Sequence, residues 1–126
     1  MFNNRIYDIL AAQMRRQIDA INVSSSNIAN VDTPGYKAKK IVDSDSSFGN
    51  ILALKITSPM QIQPVANNQY QIVQSDDIAR NDGNNVNIEK EMVNIAKARA
   101  SYEQLSSMLK FKLRSIDNLL NQLGKV

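Results

Sequence analysis

The residues able to do chemistry are few, and their spacing suits none of the usual reactions. Of 126 residues, none is Cys or His. That removes disulfides, thiolate nucleophiles and zinc-thiolate sites, together with the side chain most used for proton transfer near neutral pH. It does not fix the compartment, since a Cys-free chain suits cytoplasm and periplasm equally. Carboxylates cluster only at Asp43-Ser44-Asp45 and Asp76-Asp77. Adjacent Asp residues on a strand point to opposite faces, which serves neither a metal nor an acid–base pair. Read as a calcium loop starting at Asp43, the chain lacks Gly at loop position six and has Leu54 where the bidentate Glu belongs. The four glycines are scattered, so no loop cradles phosphate. Asn22-Val23-Ser24 is a glycosylation triplet set in a helical pattern and reads as chance. The chain is therefore not expected to be an enzyme, and no cofactor or metal site is expected.

Charge points to neither nucleic acid nor a membrane span. Residues 1–40 carry six Lys/Arg against three Asp, residues 41–85 two against five, and residues 86–126 seven against four. The two ends are basic and the middle acidic. The basic residues are dispersed, which is weak for a stripe that tracks phosphates. No stretch approaches the ~20 apolar residues of a membrane helix. Ile9-Leu10-Ala11-Ala12, followed by Arg15-Arg16, is too short for a secretory signal core.

The most specific wording lies at Ser26–Lys37. In Thr33-Pro34-Gly35-Tyr36, Pro34 presets the first central φ of a type II turn and Gly35 supplies the positive φ of the second. Pro34 also bars Thr33 from the α region, so a helix must stop before it. Asn27, Asn30 and Asp32 are expected to serve the backbone groups freed there.

Two long helices must position this turn. Over residues 4–30, Tyr7, Ala11, Met14, Ile18, Ile21, Ser25 and Ile28 fall at alternating spacings of four and three, a heptad seam. Ser24-Ser25-Ser26 weakens its far end. From Asn84 to Leu123 there is neither Gly nor Pro, and Asn84 or Asn87 can cap the start. The second seam is Ile88, Met92, Ile95, Arg99, Tyr102, Ser106, Leu109, Leu113, Ile116, Leu120 and Leu123, with Ala98 and Leu105 beside its two polar gaps. That helix spans ~55 Å at 1.5 Å per residue. A globule of this length has a radius of gyration of only ~14 Å. The helix must project, and two helices burying one stripe each leave apolar surface for further helices. Between them, residues 37–42, 51–56 and 69–73 are short strand candidates separated by turn-forming Ser, Pro, Asn and Asp.

The fold class expected is mainly α with a small irregular β region. Long N- and C-terminal amphipathic helices form a coiled-coil-like pair around a short β-rich middle. Residues 1–36 would be the first helix and turn, 37–83 the middle segment, and 84–126 the second helix.

Asn27-Ile28-Ala29-Asn30-Val31-Asp32-Thr33-Pro34-Gly35-Tyr36-Lys37 closely resembles the N-terminal signature of the bacterial flagellar axial proteins, the family that builds rod, hook and hook–filament junction. Asp82-Gly83-Asn84-Asn85-Val86-Asn87-Ile88-Glu89-Lys90-Glu91-Met92 resembles a second stretch found in the most proximal rod member, with Asn87 where Asp is commoner. Tyr102-Glu103-Gln104-Leu105 and the Leu109/Leu113 spacing resemble that member too. The chain is also too short to hold the large middle domains of hook and distal-rod proteins. The resemblance implies a structural subunit of the flagellar basal-body rod, exported without a cleaved signal by the flagellar type III apparatus. Its implied partners are copies of itself, other rod proteins and an adaptor between rod and membrane ring, with no nucleic acid and no membrane insertion. The family turn would comprise Asn27, Ala29, Asn30, Asp32, Thr33, Pro34, Gly35 and Tyr36. The assembly interface would comprise Tyr7, Met14, Ile18, Ile21, Ile28, Ile88, Met92, Ile95, Tyr102, Leu109, Leu113, Ile116, Leu120 and Leu123. Alternatives are another short rod protein of the same family, or a cytoplasmic coiled-coil scaffold or nucleic-acid-associated protein.

Overall fold

A computed structural model of the chain describes residues 4–43 and 70–125. Helix α1 runs Asn4–Ala29, strand β1 Lys39–Asp43, strand β2 Tyr70–Gln74 and helix α2 Ile88–Leu123. The molecule is mainly helical with a two-stranded sheet at its middle, as the periodicity requires. The strand candidate at 51–56 lies outside the described residues.

Helix α1 continues through the serine run, then tapers. Asn30 N–H donates to the carbonyls of both Ser26 and Asn27, and Val31 N–H donates to Ile28. The Asn30 side-chain amide also donates to the Ser26 carbonyl at 2.8 Å. Helix α2 starts four residues later than Asn84. Its cap is Asn87, in extended conformation, whose side chain accepts from Lys90 N–H, and Glu89 and Glu91 follow in the first turn. Carboxylates there meet the positive end of the helix dipole.

The strands pair antiparallel in the register Lys39↔Gln74 through Asp43↔Tyr70. The hairpin is fastened to α1 from the side. The Arg16 guanidinium grips the Asp43 carboxylate with two bonds of 2.8 and 3.0 Å. The Tyr70 hydroxyl donates to Asp19.

The two helices pack antiparallel. The C-terminal end of α1 meets the N-terminal end of α2 through contacts of Asn30 and Val31 with Asn84, and Ser24 and Gln17 of α1 share a crevice with Glu91 and Ser101 of α2. The contact does not follow the apolar seams read from the sequence. In α1 the buried positions are Leu10, Ser24 and Asn27, and in α2 they are Glu91 and Ala98. The interhelix row is thus turned round the axis from the apolar one. Ser24 and Ala98 on the buried row are small, whereas Ile18, Ile88 and Met92 of the projected seam are exposed.

The core is correspondingly slight. Among the described residues only Leu10, Ala38, Val86 and Ala98 are buried apolar residues, whereas Ser24, Asn27, Ser75, Asn84, Asn85 and Glu91 are buried polar ones. Fifteen large apolar side chains stand exposed. A chain that shelters so little of its apolar surface has its main burial still to come. No described helix is long and apolar enough to cross a membrane.

Candidate assembly interface

The two motif stretches, some fifty residues apart in sequence, form one junction in space. Three asparagines hold it. Asn27, fully buried on the last turn of α1, treats Lys39 as a strand neighbour would. Its amide donates to the Lys39 carbonyl at 2.7 Å, and its oxygen accepts from Lys39 N–H at 2.9 Å and from the Tyr36 hydroxyl at 3.2 Å. Tyr36 thereby leans on the first helix.

Asn84, also without exposure, fills the end of α1. Its amide donates to the carbonyls of Asn30, Val31 and Thr33 at 2.9, 3.0 and 2.9 Å, while its oxygen accepts from Val86 N–H at 2.8 Å. Past the helix stop at Pro34 the Asn30 and Thr33 carbonyls also accept from Thr33 N–H and Tyr36 N–H, so Asn84 is their second donor. Arg80 adds a guanidinium bond of 2.6 Å to the Val31 carbonyl. Asn85 ties the hairpin to the same junction. It accepts from Ala38 N–H at 2.6 Å and donates to the carbonyls of Ser75 at 2.9 Å and Asp77 at 3.3 Å.

Two glycines lie back to back beneath these amides. Gly35 has φ 71° and Gly83 φ 81°. Tyr36 N–H donates to the Thr33 carbonyl, closing the expected turn, and Gly35 N–H donates to the Asp82 carbonyl at 2.8 Å. A β-carbon on Gly83 would sit 3.3 Å from the Gly35 α-carbon, whereas one on Gly35 would meet nothing within 4 Å. Gly83 therefore answers to both conformation and space, and Gly35 to conformation alone.

Of the other turn residues, Asn30 bonds as expected and its side-chain oxygen accepts from the Thr33 hydroxyl at 3.3 Å. Ala29, Asp32 and Pro34 are exposed. Asp32 serves no freed backbone group among the described residues. That work falls to Asn84 and Arg80 from the other side of the junction. Sequence reading passed over Asn84, Asn85, Arg80 and Ser75 as parts of this site. The available signals were the density of Asn and Gly in Asp82–Asn87 and the resemblance of Asp82–Met92 to a family stretch, neither of which told what the asparagines bond.

Electrostatics on this side of the molecule are local. The Asp19 carboxylate holding the Tyr70 hydroxyl, with some burial, raises that phenol above its ordinary value. The Lys90 ammonium, 2.7 Å from Asp77, holds the Asp77 carboxyl below its ordinary value. Both partners of that ion pair are largely exposed, so it contributes little to stability.

The apolar row projected from the sequence divides in two. Tyr7, Met14, Ile21 and Ile28 of α1 and Ile95, Tyr102, Leu109 and Ile116 of α2 are half-buried. Ile18, Ile88, Met92, Leu113, Leu120 and Leu123 are exposed, the last at 73%. Phe111, Leu119 and Met108, outside the projected row, are exposed as well. Among the described residues the geometry offers open crevices but no enclosed site for a small molecule, and a long apolar face for a helix.

Comparison with known proteins agrees with that geometry. A family model described as flagella basal body rod protein matches residues 10–37, which is most of α1 and the turn after it. The flagellar basal body rod protein FlgB of Bacillus subtilis (strain 168) is 33% identical over 129 residues, covering 95% of this chain and 95% of the relative. FlgB of Escherichia coli (strain K12) is 30% identical over 135 residues, covering 90% of this chain and 96% of the relative. FlgB of Yersinia enterocolitica is 28% identical over 135 residues, with 91% and 98% covered.

Proposed function

We propose, for a chain that belongs to the FlgB family of flagellar basal body rod proteins, that it joins its neighbours by laying the exposed helix face of α2 against helices of adjacent subunits. Membership makes it a structural subunit of the rod of the bacterial flagellum. The finer reading is ours. The subunit stands at the proximal end of the rod in the periplasm, reached through the flagellar type III exporter. There it contacts copies of itself, other rod proteins and the adaptor that joins the rod to the membrane ring.

The observation that carries the assembly reading is the mismatch, among the described residues, between four buried apolar residues and fifteen exposed large apolar side chains. Burial of apolar surface stabilises by about 25 cal/mol per Å². A face left open along the helix therefore represents stabilisation that a neighbour can supply. Ile88, Met92, Leu113, Leu120 and Leu123, together with the half-buried Tyr7, Met14, Ile95, Tyr102, Leu109 and Ile116, would line those contacts. The asparagine junction would set the angle at which the helix pair meets the hairpin, and hence how a subunit seats. The experiment is deletion of the gene and recovery of basal bodies from a complemented strain. The reading expects cells without flagella after deletion, and the protein in purified basal bodies after complementation. Flagellated deletion cells would end it.

A further inference from the structure

Asp82-Gly83 is the only place in the sequence where Asp or Asn precedes Gly. That dipeptide has a chemistry of its own, which needs neither an enzyme nor a cofactor. The glycine nitrogen can attack the aspartate side-chain carboxyl, because a residue without Cβ leaves the approach open. The nitrogen gives up its proton and bonds to the carbon of the protonated carboxyl. The adduct expels one carboxyl oxygen as water and leaves a cyclic succinimide. Water then adds to either carbonyl of the ring. One opening restores aspartate. The other leaves isoaspartate, with the main chain running through Cβ and the former backbone carbonyl set free as a carboxylate. The water taken up equals the water lost, and nothing is oxidised or reduced.

The fold exposes the carboxylate but pins the peptide that must attack it. Asp82 stands at the surface, and its Oδ1 accepts from Asn84 N–H at 3.0 Å. Ring closure takes the proton off the Gly83 nitrogen and brings that nitrogen to bonding distance from the side-chain carbon. The peptide unit between the two residues must be free to move. Here it is tied on both sides. Its N–H donates to the Arg80 carbonyl at 2.8 Å, and its carbonyl accepts from Gly35 N–H at 2.8 Å. Gly83 also lies close against the first turn, since a β-carbon on it would sit 3.3 Å from the Gly35 α-carbon.

We propose that Asp82 is a spontaneous isomerisation site which the folded junction holds shut, and that a chain isomerised there cannot rebuild the junction. The vulnerable form is the chain with residues 82–84 undocked from the first turn, as in the unfolded protein. The product fails for the same geometric reasons that protect the parent. Isoaspartate puts one more atom into the main chain ahead of Gly83, and the carbonyl that holds Gly35 becomes part of a carboxylate. Asn84 is carried out of place, so its amide no longer reaches the carbonyls of Asn30, Val31 and Thr33 together. The inference stands apart from the rod-subunit reading, since it asks only that the junction form.

The central test needs no variant. The full chain is aged in warm, mildly acidic buffer, one sample folded and the other unfolded in guanidinium chloride. Trypsin, cutting after Arg80 and Lys90, then releases residues 81–90. Isomerised peptide keeps its mass but changes its chromatographic position, which separates it from deamidation at Asn81, Asn84, Asn85 or Asn87. The unfolded chain should accumulate it at least about tenfold faster, because the folded chain reacts only while the junction is open. Asp82→Glu, whose ring would be one atom larger, should suppress the product in both samples. The isomerised chain, purified and returned to native buffer, should unfold at lower urea than the parent. Repair by an isoaspartyl methyltransferase should restore the parent's midpoint. Equal rates in the two samples overturn the proposal. So does an unfolded sample without product at Asp82, or an isomerised chain with the parent's urea midpoint.

Discussion

Changing Asn84 to Asp exchanges one NH2 for one oxygen and leaves shape almost untouched, which isolates the donor role of that side chain. The amide nitrogen sits 2.9–3.0 Å from three carbonyl oxygens, and the residue has no exposure. A carboxylate there donates nothing and faces three acceptors. Losing the donor removes bonds worth about 0.5–1.5 kcal/mol each, although every one of the three carbonyls keeps another donor, and an uncompensated buried charge adds about 3–5 kcal/mol. The carboxyl escapes part of that by taking a proton, so the expected loss near pH 7 is about 4 kcal/mol. That is a large fraction of the stability of a small domain. Asn84→Ala removes the donor without adding charge and should cost about half as much. Urea denaturation followed by helix ellipticity measures both. The sign with pH is also fixed. Burial and the carbonyls raise the new carboxyl's folded titration, so the Asn84→Asp deficit should narrow as pH falls through it, while the Asn84→Ala deficit stays level. An Asn84→Asp chain within about 1 kcal/mol of the parent at pH 7 would refute the junction as described.

Other outcomes follow from the same geometry. Gly83→Ala should destabilise by about 2 kcal/mol, more than the ~1 kcal/mol of Gly35→Ala, because only the former adds a close backbone contact to the positive φ; denaturation midpoints decide the order. Gly35→Val, bulkier at the same positive φ, should impair motility, and normal swimming on soft agar counts against the turn's importance. Tyr70 is raised by Asp19, so its contact stabilises below the ordinary phenol value and is lost as pH climbs through the raised one; Tyr70→Phe should flatten that alkaline loss in thermal melts. Asp77 is lowered by Lys90, so its small contribution is present above the ordinary carboxylate range and fades as pH falls through the lowered value; Asp77→Asn should remove that acid dependence. In dilute monomer, amides of 114–123 should exchange faster than those of 91–105, because α2 has 36 residues and α1 only 26 to cover it; uniform slow exchange along α2 would contradict that.

What was legible in the sequence was whatever local chemistry decides. The helix stop at Pro34, the positive φ of Gly35 and the helical run ending before Gly124 follow from backbone rules that no tertiary contact overrides. The boundaries of two strands moved by a residue or two, from 37–42 and 69–73 to Lys39–Asp43 and Tyr70–Gln74, because the propensity of short, polar strands depends on context. The interhelix seam was misplaced by a fraction of a turn. Periodicity finds the most apolar row, whereas the most buried row also takes in Ser24 and Ala98, each one position before the seam residues Ser25 and Arg99. The union of Asn27, Asn84 and Asn85 into one polar core was illegible for a different reason. An asparagine in a turn-rich stretch reads as a local cap, and nothing in its own segment tells that its partners are carbonyls fifty residues away. The family resemblance marked both stretches without revealing that they touch.

The outer face of α2 is open in the single chain, and the assembly reading closes it in the rod. Because the chain has no cysteine, one placed by Leu120→Cys is a clean reporter. Maleimide labelling of the purified protein at low concentration should be fast, as Leu120 is 60% exposed, and labelling of the same residue in isolated basal bodies should be at least tenfold slower. Equal labelling rates in the two preparations would contradict the claim.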